Sequence, residues 1–497
     1  CDTDESVKFR AELHGTVLEK LDGVQIVDSN AGFGGQHLIA AQSFGPGQLV
    51  LKERALAASE TCTNFSRVVA YCNLQIADRE RFLQMCSQGE SCLATAPCGT
   101  DVMLDSAGEI FQLLQSESTN HHPTQEEVER VIKIWNLNAY GNAISPMICK
   151  IDHSCTPNVY IHVEAGMLTA TAVRHIAKGD SLGSWYLQDT GLFWMGQNLR
   201  ARQLLELRGF ACCCERCASF DVCRGLPCPS CGKGTVYCKD SFWRCGGTDG
   251  GCGYEGQGLD LPLDQESELA QQVLMVLRPE KGSRPKGLAD VIQLRDEVME
   301  VLGTHHWAFA AMDIVVSYRR RAATGGVLST PDAAFEGLRF VDWLSSRNLP
   351  IAPARVIRTP ISLAVDVAHY YAGVGSANAI PDGRCVSCRL TKTFVLPVLA
   401  GSCGDPALAG LQSFWQKVAA VSALTERLKD DCGACGVHLR NGTDQKKGMV
   451  CGQCKQISYC SKDCQARDWK EKHRHGCLPS TESLASEKCR RIVWRAS

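Results

Sequence analysis

No run of apolar residues in this sequence is long enough to cross a bilayer, and nothing near its first residues has the pattern of a secretory leader. The chain begins at Cys1 instead of Met, so an earlier targeting segment is an open expectation. Net charge is nearly absent: 52 Lys and Arg stand against 54 Asp and Glu, a formal −2 at pH 7. Such a balance gives no global field to draw the molecule to nucleic acid or to an anionic membrane. No HExxH pair is present, which excludes the usual helical zinc-protease pattern. Gly373-Val-Gly375 has no strand-to-helix context and reads as a turn, not a phosphate loop.

Cysteine, by contrast, is abundant, with 29 in 497 residues. A chain this long exceeds one core and divides into several domains. In a secreted chain so many cysteines would suggest disulfides, but here most fall in metal-ligand spacings, which points to a reducing cytoplasm or nucleus. The triplets Asn64-Phe-Ser and Asn441-Gly-Thr therefore read as chance matches to the glycosylation pattern.

The densest pattern is Cys432-Gly-Ala-Cys435, Cys451-Gly-Gln-Cys454, Cys460-Ser-Lys-Asp-Cys464 and His473-Arg-His-Gly-Cys477. Thiolate and imidazole suit zinc, and four such ligands close a tetrahedral structural site with no open position. Eight ligands specify two ions, with His473 preferred to His475 because only His473 has the His-x3-Cys spacing. This segment resembles the MYND zinc finger, including Tyr459-Cys460 and Trp469. The resemblance implies interleaved ligation: Cys432, Cys435, Cys460 and Cys464 for one ion; Cys451, Cys454, His473 and Cys477 for the other. It also implies peptide binding without chemistry.

A second constellation is Ile151-Asp-His-Ser-Cys-Thr-Pro-Asn158. It resembles the signature of SET-domain methyltransferases, usually Asn-His-Ser-Cys-x-Pro-Asn. Val159–Val163 and Met167–Val173 read as strands joined at Glu164-Ala-Gly166. Further matches are Ile176-Ala-Lys-Gly-Asp180, Ser184-Trp-Tyr186, and the stretch Gly34–Ala41 followed by Gly45-Pro-Gly47. By this resemblance Tyr186 is the active-site tyrosine, and S-adenosylmethionine contacts Gly34, Gly35, Gln36 and His37 in a turn, with Asn138, Asp152, His153 and Phe210. Gly209-Phe-Ala-Cys-Cys-Cys-Glu-Arg-Cys217 resembles the post-SET motif. There Cys212, Cys214 and Cys217 take a fourth zinc ligand from the signature, Cys155, with Cys213 as a competing thiol. Two departures stand out. Asp152 replaces an amide with an acceptor-only carboxylate, and Gly35-Gln-His-Leu carries neither the Gly-x-Gly nor the basic residue common in the first cofactor turn.

Cys228-Pro-Ser-Cys231 is a knuckle by spacing. Cys245 and Cys252 are its expected partners in a zinc ribbon, and Cys223 and Cys238 are alternatives. Cys385-Val-Ser-Cys388 has no partner pair and stays unassigned. Val291, Leu294, Val298 and Val301 recur at helical spacing before Gly303, and Leu411, Phe414, Val418, Val421 and Leu428 form a second stripe. Asp78–Leu83 suggests a helix as well. Leu302-Gly-Thr-His-His-Trp307 resembles a helix start in the C-terminal helical domain of SET-and-MYND proteins, whose helix pairs stack as in tetratricopeptide repeats.

The expected architecture is a mixed α+β multidomain chain resembling the SET-and-MYND family with the finger moved to the C-terminus. Its segments are a split SET domain (14–60 and 131–192) with a helical insert (61–130) and a post-SET zinc segment (193–220). A zinc-ribbon-like segment (221–258), a helical domain (259–428), the finger (429–480) and a tail (481–497) follow. The function the resemblance implies is methylation of a lysine on a protein substrate using S-adenosylmethionine, with zinc as the structural metal and the finger recruiting peptide partners. The alternative is an inactive adaptor. Lys446-Lys447 and Arg467–Arg474 are locally basic, but a solvated face accounts for them better than direct nucleic-acid binding. No feature specifies an oligomer.

Overall fold

The computed structural model describes residues 14–21, 23–29, 36–85, 107–187, 190–246, 251–279, 286–325, 328, 330–347, 358–373, 383–396, 399, 412–435, 437, 439, 449–474 and 477. Gly34, Gly35, Gly375, Leu411, Asn441, Lys446, Lys447, His475 and the 481–497 tail lie outside the described residues, and of Cys385 and Leu428 only the backbone is described. The architecture mixes helix and sheet throughout.

The first half is built from small sheets. His14–Leu21, Val24–Ser29 and Gln36–Ala40 form an antiparallel three-stranded sheet. Gln36 and His37, expected in a turn, instead pair with Asp28 and Val27, because the hairpin register draws them into the strand. In a second sheet Met167–Ala172 lies between Leu49–Arg54 and Val159–Glu164. Glu164-Ala-Gly166 makes the tight turn between the last two strands. Backbone hydrogen bonds Ala40 N to Asp180 O and Phe44 N to Ile176 O, both 2.9 Å, join the sheets. Inward residues Val24, Leu38, Phe44, Val159, Leu168 and Ile176 fill one core.

Helices Asn64–Cys72, Ile76–Leu83, Ala107–Leu114 and Gln125–Asn138 are inserted between the paired strands Ala57–Ala58 and Ala143–Ile144. They pack around Tyr71, Phe82 and Trp135. Thr63 and Thr124 cap the first and last of them by accepting from the N–H groups of Ser66 and Glu127. The last helix crosses position 130, so insert and strand core meet inside one helix. Just beyond its C-terminal end the Tyr140 hydroxyl reaches Ile151 O at 3.4 Å.

The second half is a helical array: Leu263–Leu277, Leu288–Leu302, Trp307–Ala323, Pro331–Ser346, Arg358–Ala372, Gly383–Leu390 and Gln412–Asp430. Val291, Leu294 and Val298 are buried as their spacing suggests, but the stripe closes on Leu302, while Val301 is only partly buried. The next helix starts at Trp307, where the His306 side chain accepts from Ala308 N at 3.1 Å. One continuous core runs from Leu187 to Val421.

The joint between halves is electrostatic as well as apolar. Arg224 grips Glu266 with two bonds of 2.6 and 2.8 Å, and His306 Nε2 lies 3.1 Å from the same carboxylate. Burial alone would raise the Glu266 pKa. The hydrogen bonds from Arg224 and His306 outweigh it and hold the carboxyl at about 2. The folded value is depressed below the ordinary 4.5, so the contribution is complete above 4.5 and lost only as pH falls toward about 2. Glu266→Gln leaves a buried guanidinium without its counter-charge and is expected to cost about 3 kcal/mol. Chemical denaturation of wild type and variant should show the same gap at pH 7 and pH 5.5; a gap that closes between them would contradict this assignment.

Candidate active site and metal clusters

The 151–158 segment is threaded against a later stretch of chain. Asp152–His153 pairs in parallel with Gly183–Ser184. Asn158 clamps the crossing: its backbone N–H donates to Gly183 O at 3.0 Å, its Nδ2 donates to Ser181 O at 2.8 Å, and its Oδ1 accepts from Gly183 N at 2.8 Å. A Cβ on Gly183 would lie 2.6 Å from Ser154 Cβ, so only glycine allows this approach.

The crossing sets Tyr186. Its backbone N–H donates to His153 Nδ1 at 3.2 Å, and its hydroxyl donates to Ile151 O at 2.5 Å. The ring is enclosed by Tyr140, His153 and Phe210 at centroid distances of 6.2, 5.5 and 6.5 Å. The Arg208 guanidinium lies over it at 5.5 Å. Burial, then the nearby Tyr140 and Asp152, hold the phenol pKa well above its ordinary value, so Tyr186 stays a neutral donor. Tyr140 is held up chiefly by burial and reaches Ser184 Oγ at 3.1 Å. Neither Tyr140 nor Arg208 was assigned a role from sequence. The available signals were Tyr140's place just after the Asn138 helix and Arg208's place just before the helix-ending Gly209.

The other expected residues divide. His153 and Phe210 share the aromatic cluster at 6.2 Å. Asn138 is buried at the end of its helix, its Nδ2 donating to Ile134 O one turn back at 2.8 Å. Gln36 accepts from Lys150 Nζ at 2.7 Å, and His37 is buried in its strand. Asp152 stands at the rim. Its outer edge is exposed, yet the surrounding chain crowds the carboxyl enough to push its pKa up to about 6 by desolvation. Water at the exposed edge limits that shift.

Four groups of four ligand atoms converge, each with all atoms within 4.8 Å of one another: Cys155, Cys212, Cys214 and Cys217; Cys228, Cys231, Cys245 and Cys252; Cys432, Cys435, Cys460 and Cys464; Cys451, Cys454, His473 and Cys477. Zn–S bonds of about 2.3 Å imply tetrahedral sulfur edges of roughly 3.8 Å. Observed separations are 3.6 Å for Cys155–Cys217, 3.5 Å for Cys228–Cys252, 3.6 Å for Cys435–Cys460 and 3.7 Å for Cys451–Cys477. The donor sets therefore fit zinc in both size and chemistry. Cys213 is exposed and outside the first group, and Cys223 and Cys238 are buried outside the second.

In the last group His473 Nε2 is 3.3 Å from Cys451 Sγ and 3.4 Å from Cys454 Sγ. The helix Lys462–Asp468 is capped by Ser461 and anchored by Tyr459, whose hydroxyl donates to Asp468 at 2.7 Å. An open groove of about 490 Å³ runs between Met449, Gln453, Gln465 and Trp469.

Comparison with known proteins locates the clearest likeness. Residues 432–477 match the family model of the MYND finger. Histone-lysine N-methyltransferase SET5 of Eremothecium gossypii is 29% identical over 92 residues, 18% of each chain. SET domain and MYND-type zinc finger protein 6 of Schizosaccharomyces pombe is 27% identical over 82 residues, 16% of each chain. SET5 of Saccharomyces cerevisiae is 33% identical over 94 residues, 18% of this chain and 17% of the relative. This chain thus aligns with less than one fifth of the length of these curated relatives. The C-terminal segment is a zinc-binding MYND finger.

Because its two ligand groups interleave, each ion has its own test. Metal analysis of His473→Ala is expected to show one zinc fewer than wild type, and Cys435→Ser should lose the other. Wild-type zinc content in either variant would remove that residue from the ligand set.

Proposed function

We propose that the chain is an S-adenosylmethionine-dependent protein-lysine methyltransferase carrying a MYND protein-interaction module. Residues 14–60 and 131–192 would form its split SET domain, and 193–220 its zinc-held lid. The observation that carries this reading is the convergence of Cys155 with Cys212, Cys214 and Cys217, which holds Phe210 against His153 and Tyr186. A sequence signature and a distant cysteine motif thereby meet in one aromatic cluster, which would wall the substrate chamber.

The chamber suits a cationic ligand, since aromatic faces and the Asp152 carboxylate both attract positive charge. Gln36, His37, Asn138, Asp152, His153 and Phe210 would hold S-adenosylmethionine, with Gly34 and Gly35 in the turn before them. The bound cofactor supplies a sulfonium methyl to an incoming amine. A lysine amine at its ordinary pKa near 10.4 is protonated and cannot attack. Tyr140, Tyr186 and Phe210 surround it with aromatic surface, which favours its neutral form by desolvation. Tyr186, fixed through Ile151 O and His153, orients that amine, so much of the rate comes from positioning. The finger's groove would take a peptide, and a lysine-bearing protein would be the substrate. Among the described residues no helix is long and apolar enough to cross a membrane, in keeping with work in the cytoplasm or nucleus.

The adaptor reading is favoured by Asp152, whose carboxylate replaces an amide donor, and by the first cofactor turn, which carries neither the Gly-x-Gly nor the basic residue common there. Two experiments separate the readings. Tyr186→Phe keeps the ring, so fold and zinc content should persist while methyl transfer to a cell-extract acceptor pool falls roughly a hundredfold or more. Undiminished transfer would reject Tyr186 as catalytic. For the cofactor, desolvation raises the Asp152 pKa to about 6, so its negative charge declines as pH falls through that region. Calorimetric affinity for S-adenosylmethionine should therefore weaken in wild type as pH drops from 7.5 to 5.5, and Asp152→Asn should lose that dependence. No cofactor binding by wild type at either pH leaves the adaptor.

A further inference from the structure

We propose that Cys228, Cys231, Cys245 and Cys252 hold a structural zinc ion that braces the joint between the lid and the helical array. This does not depend on the methyltransferase reading. The strands Leu226–Pro227, Thr235–Lys239, Phe242–Cys245 and Glu255–Gly256 form a four-stranded ribbon in that order. Strands so short, on so small a core, are marginal by themselves. The four cysteines converge at its end.

The local chain is shaped around those sulfurs. Cys228 N donates to Gly234 O and Gly232 N to Cys228 O, each at 2.9 Å, and Gly234 N donates to Cys231 Sγ at 3.3 Å. This is how backbone amides stabilise a thiolate in a knuckle. A Cβ on Gly234 would lie 2.6 Å from Cys245 Sγ and 3.3 Å from Cys231 Sγ, so the backbone passes directly over the cluster. Cys252 is exposed, which ordinary core packing of thiols does not explain. The Cys228–Cys252 separation of 3.5 Å is far beyond a disulfide bond of about 2.05 Å and close to a tetrahedral edge.

The strands closed by this cluster carry the contacts to the array. Trp243 is buried with Arg224 over its ring at 5.0 Å, and Arg224 is the residue that grips Glu266. The Tyr237 hydroxyl is 3.2 Å from His305 Nδ1 and accepts from Arg347 Nη1 at 2.7 Å. Trp307 N donates to Cys223 O at 2.8 Å. Tetrahedral closure ties the knuckle after Leu226–Pro227 to the end of Phe242–Cys245 and to the approach of Glu255–Gly256, and so holds the strand that carries Trp243 and pairs with the strand of Tyr237. Without the ion the ribbon loosens and the Arg224–Glu266 grip loosens with it.

The experiment compares full-length wild type with Cys252→Ser, Cys252→His and the control Cys213→Ser. Zinc per chain should fall by one in Cys252→Ser and stay at the wild-type value in Cys252→His, which keeps a ligand, and in Cys213→Ser. Amide exchange in helix Leu263–Leu277 should quicken by about tenfold or more in Cys252→Ser alone. An unchanged zinc count in Cys252→Ser rejects the site. Zinc loss without faster exchange in that helix rejects the brace. If Cys252→Ser fails to fold, Cys252→His decides: a folded variant with the wild-type zinc count and wild-type exchange supports site and brace together, and loss of one ion with unchanged exchange in helix Leu263–Leu277 overturns the brace.

Discussion

A single sulfur constrains most of the first half of the molecule. Cys155 belongs to the 151–158 segment but converges with cysteines from the far side of helix Gln197–Arg208, Cys217 being 62 residues away along the chain. To meet them, the segment must cross beside Gly183–Ser184, and the crossing leaves no room for a side chain at Gly183. Asn158 then satisfies the backbone on both sides. Arg216, between two of the cysteines, donates to Cys155 O at 3.2 Å and Phe193 O at 2.6 Å, tying the cysteine segment to 151–158 and to Thr190–Trp194. Tyr186 inherits its place from this crossing, and Phe210 inherits its place from the cysteines that follow it.

What could be read from sequence was whatever is written locally. Ligand spacing marks residues that must converge, while the interleaving of the finger and the place of Cys155 rest on resemblance; the ligand atoms of each of the four groups lie within 4.8 Å of one another. The hairpin after Asn158 was legible from alternation and a tight turn. The MYND finger was legible because eight ligands leave little freedom. Features set by partners were not. Gln36 and His37 look like turn residues among glycines, but pairing with Val24–Ser29 extends the strand through them. The last buried position of helix Leu288–Leu302 shifted from Val301 to Leu302 because the neighbouring helices, not the periodicity, decide which face is covered. Tyr140 and Arg208 act through contacts with Tyr186 that no spacing announces.

The helical array connects regions that the sequence presents as separate. Its core is continuous with that of the ribbon and of the segment from Leu187 to Leu204. At its other end Cys388, which had no role by spacing, packs in the small core of the finger with Cys432, Cys451 and Cys454. Gln456 of the finger accepts from Cys388 Sγ at 3.6 Å and Lys392 Nζ at 3.2 Å. The finger is therefore docked on helix Gly383–Leu390 and not merely tethered beyond it.

The interleaving of the finger's ligands also has a consequence for its birth on the ribosome. Neither metal group is made of consecutive ligands: the first waits for Cys464 and the second for Cys477, while the earliest thiol of the pair, Cys432, emerges well before either. The first site can close once Cys464 has emerged, but it closes around Cys451 and Cys454, whose own partners His473 and Cys477 are still to come. Until Cys477 has left the exit tunnel, several cysteines remain exposed to oxidants and to competing metals, and the helix surface around Cys388 remains bare. Synthesis normally lets early domains fold first. This region instead matures late, and its yield in a cell depends on available zinc during that interval.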